Sequence, residues 1–120
     1  MPSYGKTLKD APMIDLVSFN RYQKSALETA IFSKDNALPY LSLGLAAEAG
    51  EVADKVAKYY RGDKPLNVSD LMQEVGDVLW FAAVLSEHFG YTLERVALMN
   101  MNKLQSRKQR GTLMGSGDNR

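Results

Sequence analysis

Apolar residues recur along this chain at the three-to-four spacing of helices, and nowhere with the sustained alternation of a strand. Leu16, Phe19, Ala26 and Ala30 predict a first helix running from a cap at Asp15 to about Phe32. Ser33 to Pro39 reads as a break, because Pro39 biases its predecessor out of the helical region. A second helix is expected from about Pro39 to Tyr60, with the proline tolerated in its first turn and Gly62 as its stop. Asn67 is the expected cap of a third, which has Asp70 in its first turn and Gly90 at its end. A fourth starts from Thr92, carries Leu93, Val96, Met99 and Leu104, and ends by Gly111. Short connections between long helices predict antiparallel packing, so the expected fold is all-α, an antiparallel four-helix bundle-like domain.

The second and third helices are apolar around most of their circumference, with Ala46, Ala53 and Ala57 opposite Glu48. Four helices of one chain do not easily cover that much apolar surface, which predicts oligomerisation through helix faces. The helical pattern sets the expected domain at 15–110. Residues 1–14, with two prolines and a glycine, read as an irregular arm, and 111–120 as a tail flexible by composition.

Two carboxylate pairs break the apolar stripes. Glu48/Glu51 and Glu74/Asp77 each span three residues inside a helical run, with 22 residues between the pairs. At 100° per residue, Leu41, Leu45, Val52 and Tyr59 fall within about 60° of Glu48, and Leu71, Val78, Phe81 and Leu85 surround Glu74 in the same way. If the two helices face each other antiparallel, four like charges converge, and each raises the pKa of the next. Mg²⁺, or Mn²⁺ in its place, would turn that repulsion into attraction, since hard divalent ions prefer carboxylate oxygens. The plainer reading is a solvated acidic face: Glu51 stands four residues before Lys55, an ordinary surface pair. Asp54, about 120° from Glu48, reads as solvated. On the fourth helix Asn100, Arg107 and Arg110 lie within about 60° of Lys103, a stripe suited to phosphate oxygens or simply to the helix C-terminus. Acids for a metal and bases for phosphate together point to a nucleotide polyphosphate.

Composition acts mainly by exclusion. With 45% hydrophobic and 24% charged residues, the 120-residue chain has the make-up of one globular domain. A formal net charge of +1 argues against a dedicated nucleic-acid binder, although Lys103, Arg107, Lys108 and Arg110 form a local basic cluster. The absence of cysteine, together with a single histidine, argues against zinc and a thiol nucleophile. No apolar run is long enough for a membrane span or a signal core, so the expected location is the cytoplasm. His88, Met99, Met101 and Met114 read as packing or helix-end residues.

Gly44-Leu45-Ala46-Ala47-Glu48-Ala49-Gly50-Glu51-Val52-Ala53-Asp54 and Glu74-Val75-Gly76-Asp77-Val78-Leu79-Trp80 resemble the MazG-like nucleotide pyrophosphohydrolases. Asn100-Met101-Asn102-Lys103-Leu104, Arg107 and Arg110-Gly111 are similar to that family's Asn-x-x-Lys-Leu-x-x-Arg element. Tyr22-Gln23, Thr29-Ala30 and Gly115-Ser116-Gly117-Asp118 resemble its short stand-alone phage members, whose location would be the host cytoplasm. The resemblance implies an all-α dimer or dimer of dimers with sites built between subunits. It implies Mg²⁺-dependent hydrolysis of nucleoside triphosphates, deoxynucleotides above all, to monophosphate and pyrophosphate by metal-activated water. Glu48, Glu51, Glu74 and Asp77 would hold the metal, and Glu48 or Glu51 would serve the water's proton. Asn100, Lys103, Arg107 and Arg110 would hold the phosphates. Gln23, Trp80 and Phe81 would contact base or sugar, and Phe81 stands where many relatives have tyrosine. The rival reading is a non-catalytic helical oligomer that binds a nucleotide or a partner protein.

Overall fold

A computed structural model describes residues 18–120, and within them it is all-helical, with four α-helices and no strand. Helix α1 covers Phe19–Leu27, α2 Ala37–Tyr60, α3 Val68–His88 and α4 Leu93–Gln109, with one 3₁₀ turn at Lys34–Asn36 before α2. Helix α1 opens later than expected: Ser18, in extended backbone, accepts a 3.0 Å bond at Oγ from the Arg21 amide. Asp15 and Leu16, like the expected arm 1–14, lie outside the described residues. The same helix also ends early, at Leu27 rather than near Phe32. Thr29 Oγ1 donates to the Ala26 carbonyl and accepts the Trp80 indole N–H, both at 2.8 Å, which turns the chain off the helix and onto α3.

The later boundaries follow local chemistry. Asn67 Oδ1 accepts from the Asp70 amide at 3.2 Å and Thr92 Oγ1 from the Arg95 amide at 3.1 Å, each satisfying a donor that a helix start leaves unpaired. Gly62 and Gly90, at φ of 80° and 75°, close α2 and α3 in the left-handed region that favours glycine.

Helices α2 and α3 form a long antiparallel hairpin. Contacts step down α3 as they step up α2, from Leu41 with Val84 through Gly44 with Phe81 and Glu48 with Asp77 to Lys55 with Glu74. Helix α1 packs across α3, and α4 touches α1 and α3, whereas α4 nowhere comes within 8 Å of α2 between Cα atoms. Among the described residues the core is small, built on Ala26, Ala37, Leu41, Ala83, Val84 and Leu93, with Leu41 the one large side chain sealed from solvent. Leu43, Met72, Val75 and Leu79 on the hairpin, with Leu98, Met99 and Met101 on α4, stay exposed.

Candidate metal centre

Midway along the hairpin, one carboxylate oxygen each from Glu48, Glu74 and Asp77 lies within 4.8 Å of the others. The α2–α3 register causes this: Glu48 faces the turn of α3 that carries both other acids. Three carboxylates converge, not the expected four. Glu51, one turn further along α2, is exposed and lines a cleft of about 190 Å³ with Lys55, Lys58, Lys64 and Asn67. Lys55 does not serve Glu51 as the sequence spacing indicated; its Nζ reaches across to Glu74 at 3.6 Å. Asp54 stays outside the cluster and pairs with Lys58 instead.

Crowding shows in the protonation of the site. Shielding from water, followed by the charges of Asp77 and Glu74, a shared hydrogen bond with Glu74 and the charge of Glu51, raises the Glu48 carboxyl above its ordinary pKa. Burial, then the charge of Asp77, raises the Tyr22 phenol, which marks Tyr22 as a neighbour of the acids that spacing did not single out. The three carboxylates suit a hard divalent ion. Six-coordinate Mg²⁺ holds donors at about 2.1 Å, hence at most about 4.2 Å apart, a spacing close to the 4.8 Å within which the three oxygens lie.

The residues expected to contact base or sugar have mixed positions. Gln23 is buried and committed to the fold: its amide nitrogen donates to the Ala83 and Tyr91 carbonyls, and its oxygen accepts from the Leu93 amide, at 2.9–3.0 Å. Both donors are used, so the position favours structure over ligand contact. Trp80 is anchored through Thr29 and lies edge-on to Phe81, with 4.9 Å between centroids. Phe81 presses on the α2 backbone at Gly44 and lines an open apolar cleft with Tyr40, Leu43 and Ala47, the last adjoining Glu48. Asn100 and Lys103 on α4 and Arg110 just after it are exposed, and Arg107 is buried; no Cα of α4 lies within 8 Å of one in α2, the helix that carries Glu48. His88 is exposed at the end of α3, edge-on to Phe89.

A family model described as the MazG nucleotide pyrophosphohydrolase domain matches residues 37–112, a span that contains both acidic pairs and the α4 stripe. The chain is 43% identical over 109 residues to the Gene 37 protein of Mycobacterium phage L5, covering 82% of this chain and 96% of that relative. No solved structure matches it. Among the described residues no helix is long and apolar enough to cross a membrane.

Proposed function

This chain belongs to the MazG nucleotide pyrophosphohydrolase domain family, and from that premise we propose that it hydrolyses nucleoside triphosphates, deoxynucleotides above all, to monophosphate and pyrophosphate. The convergence of Glu48, Glu74 and Asp77 on one point of the hairpin carries this reading. These three would hold Mg²⁺, with Mn²⁺ as a substitute. Bound there, the ion supplies Lewis acidity that neutralises phosphate charge and makes water a competent nucleophile near neutral pH.

The protein's own groups do the rest. Glu51, outside the group of three yet on the same face of α2, takes the proton of the attacking water, with Glu48 the other candidate for that role. The water oxygen bonds to the α-phosphorus, and the bridging oxygen leaves with its electron pair as part of pyrophosphate. Lys55, beside Glu74 and lining the adjoining cleft, offsets charge on the departing group. The apolar cleft of Tyr40 and Phe81 takes the base. Asn100, Lys103, Arg107 and Arg110 grip the phosphates from a second copy of the chain, a reading supported by the distance of α4 from α2, which no Cα of α4 approaches within 8 Å.

Incubating the protein with ribo- and deoxynucleoside triphosphates, in Mg²⁺ and in EDTA, tests the reading when all phosphate products are resolved. Metal-dependent monophosphate plus pyrophosphate is the expected result. Glu48→Gln or Asp77→Asn should lower kcat at least about a hundredfold with helical circular dichroism intact, as loss of a proton acceptor or metal ligand does. A folded protein that turns over no nucleotide with Mg²⁺ or Mn²⁺ would instead fit the non-catalytic nucleotide- or partner-binding oligomer.

A further inference from the structure

Helices α1, α3 and α4 start alike: Ser18, Asn67 and Thr92 each accept, at a side-chain oxygen, the amide of the residue three positions on. Helix α2 departs from this. Asn36 stands in the capping position, but the residue three positions on is Pro39, which has no N–H to give. The Asn36 side chain makes no capping bond, and its backbone, at φ −112° and ψ 17°, has left the extended region that the other three caps occupy. A residue type that secures the start of α3 is here exposed and released from capping.

Asn36 and Ala47 mark the two ends of the α2 side of the apolar cleft, and Ala47 is the end beside Glu48. Among the described residues that line the cleft, Asn36 and Tyr40 alone have side chains that hydrogen-bond. The Tyr40 ring is stacked on Phe32, 4.8 Å between centroids, and stands 5.8 Å from Phe81. Aromatic walls accept any base, since every base has a π-face, so they add affinity without choice. Choice falls to a group that meets the edge of the base. Given the hydrolysis proposed above, with phosphates at the acids, that edge lies toward Asn36. We propose that the Asn36 carboxamide reads the edge of the base, and that it reads all four. A carboxamide sets one donor group beside one acceptor. The Watson–Crick edges of adenine, cytosine, guanine and thymine each carry an adjacent donor and acceptor. No capping bond fixes which way the amide faces, so a half-turn of its terminal torsion matches either order. The substrate class is therefore the deoxynucleoside triphosphates as a group, not one base.

Steady-state kinetics of the full chain on dATP, dCTP, dGTP and dTTP with Mg²⁺ test this. Wild-type kcat/KM should vary by less than about tenfold across the four. Asn36→Leu should raise KM about tenfold for each, the loss of one or two neutral hydrogen bonds, with kcat and the melting temperature nearly unchanged. Asn36→Asp gives the sharper readout. A carboxylate only accepts, and guanine alone sets two donors, N1–H and N2–H, side by side; the other three bases turn a lone pair toward it. In that variant the ratio of kcat/KM for dGTP over dATP should rise at least about tenfold. A wild type confined to one base, or an unchanged ranking in Asn36→Asp, overturns the role of Asn36 and leaves the enzyme standing. If no triphosphate is turned over, calorimetric titration with dGMP and dAMP separates the two readings. A shift toward dGMP in Asn36→Asp then sustains the base site without the enzyme, and an unshifted ratio or no binding removes both.

Discussion

Glu48 sits where shielding from water and the charges of Asp77 and Glu74 work against its ionised form. Its carboxyl holds a proton more tightly in the folded chain than in the unfolded one, so its contribution to stability improves as pH falls through the raised pKa and worsens as pH rises. In EDTA at neutral pH, Glu48→Gln should therefore melt above the wild type, with the difference shrinking under acid; melts at two pH values check this, and a lower Tm at neutral pH contradicts it. Lys55 has the opposite sign. Its partly exposed pair with Glu74 contributes only about 0–1 kcal/mol, but its charge competes with any cation at the site. Lys55→Met should tighten Mg²⁺ binding about two- to tenfold by calorimetry, the size of a screened charge interaction. Sequence spacing found the acids because helical periodicity places them on one stripe. It paired Lys55 with Glu51 because a single-helix count cannot see the neighbouring helix. Gln23's structural contacts were out of sight for the same reason: its partners Ala83, Tyr91 and Leu93 lie 60 to 70 residues away.

Among the elements, α2 and α3 are set by one close approach. A Cβ added to Gly44 would run into the Phe81 ring, so glycine lets the two helices meet one turn from Glu48. Gly44→Ala should cost about 1–3 kcal/mol, as overpacking does, and should weaken metal binding by spreading the acids; denaturant melts and a Mn²⁺ titration read the two effects. Phe81→Leu in the same chain should recover part of both, and an unaltered Gly44→Ala would remove the link. The capping residues Asn67 and Thr92 were legible because a cap is decided within four residues of chain. The early end of α1 was not, because Thr29 takes its instruction from Trp80, 51 residues away.

For the whole molecule, among the described residues the large apolar side chains left exposed on the hairpin and α4 outnumber the buried ones. Sedimentation at micromolar concentration should give a dimer or larger assembly; a monomer with full turnover would contradict both the covered faces and the shared site. The all-α class was legible, since periodicity alone decides it. That α4 stands away from α2 was not, because helix count and loop length do not determine which faces stay unpartnered. This separation has a consequence in the language of genetics. If acids and cations meet only across copies, two dead alleles can rescue each other: Glu48→Gln chains mixed with Lys103→Gln chains form hybrids that each keep one intact site. Random reassortment into dimers would restore about a quarter of wild-type activity from two inactive parents.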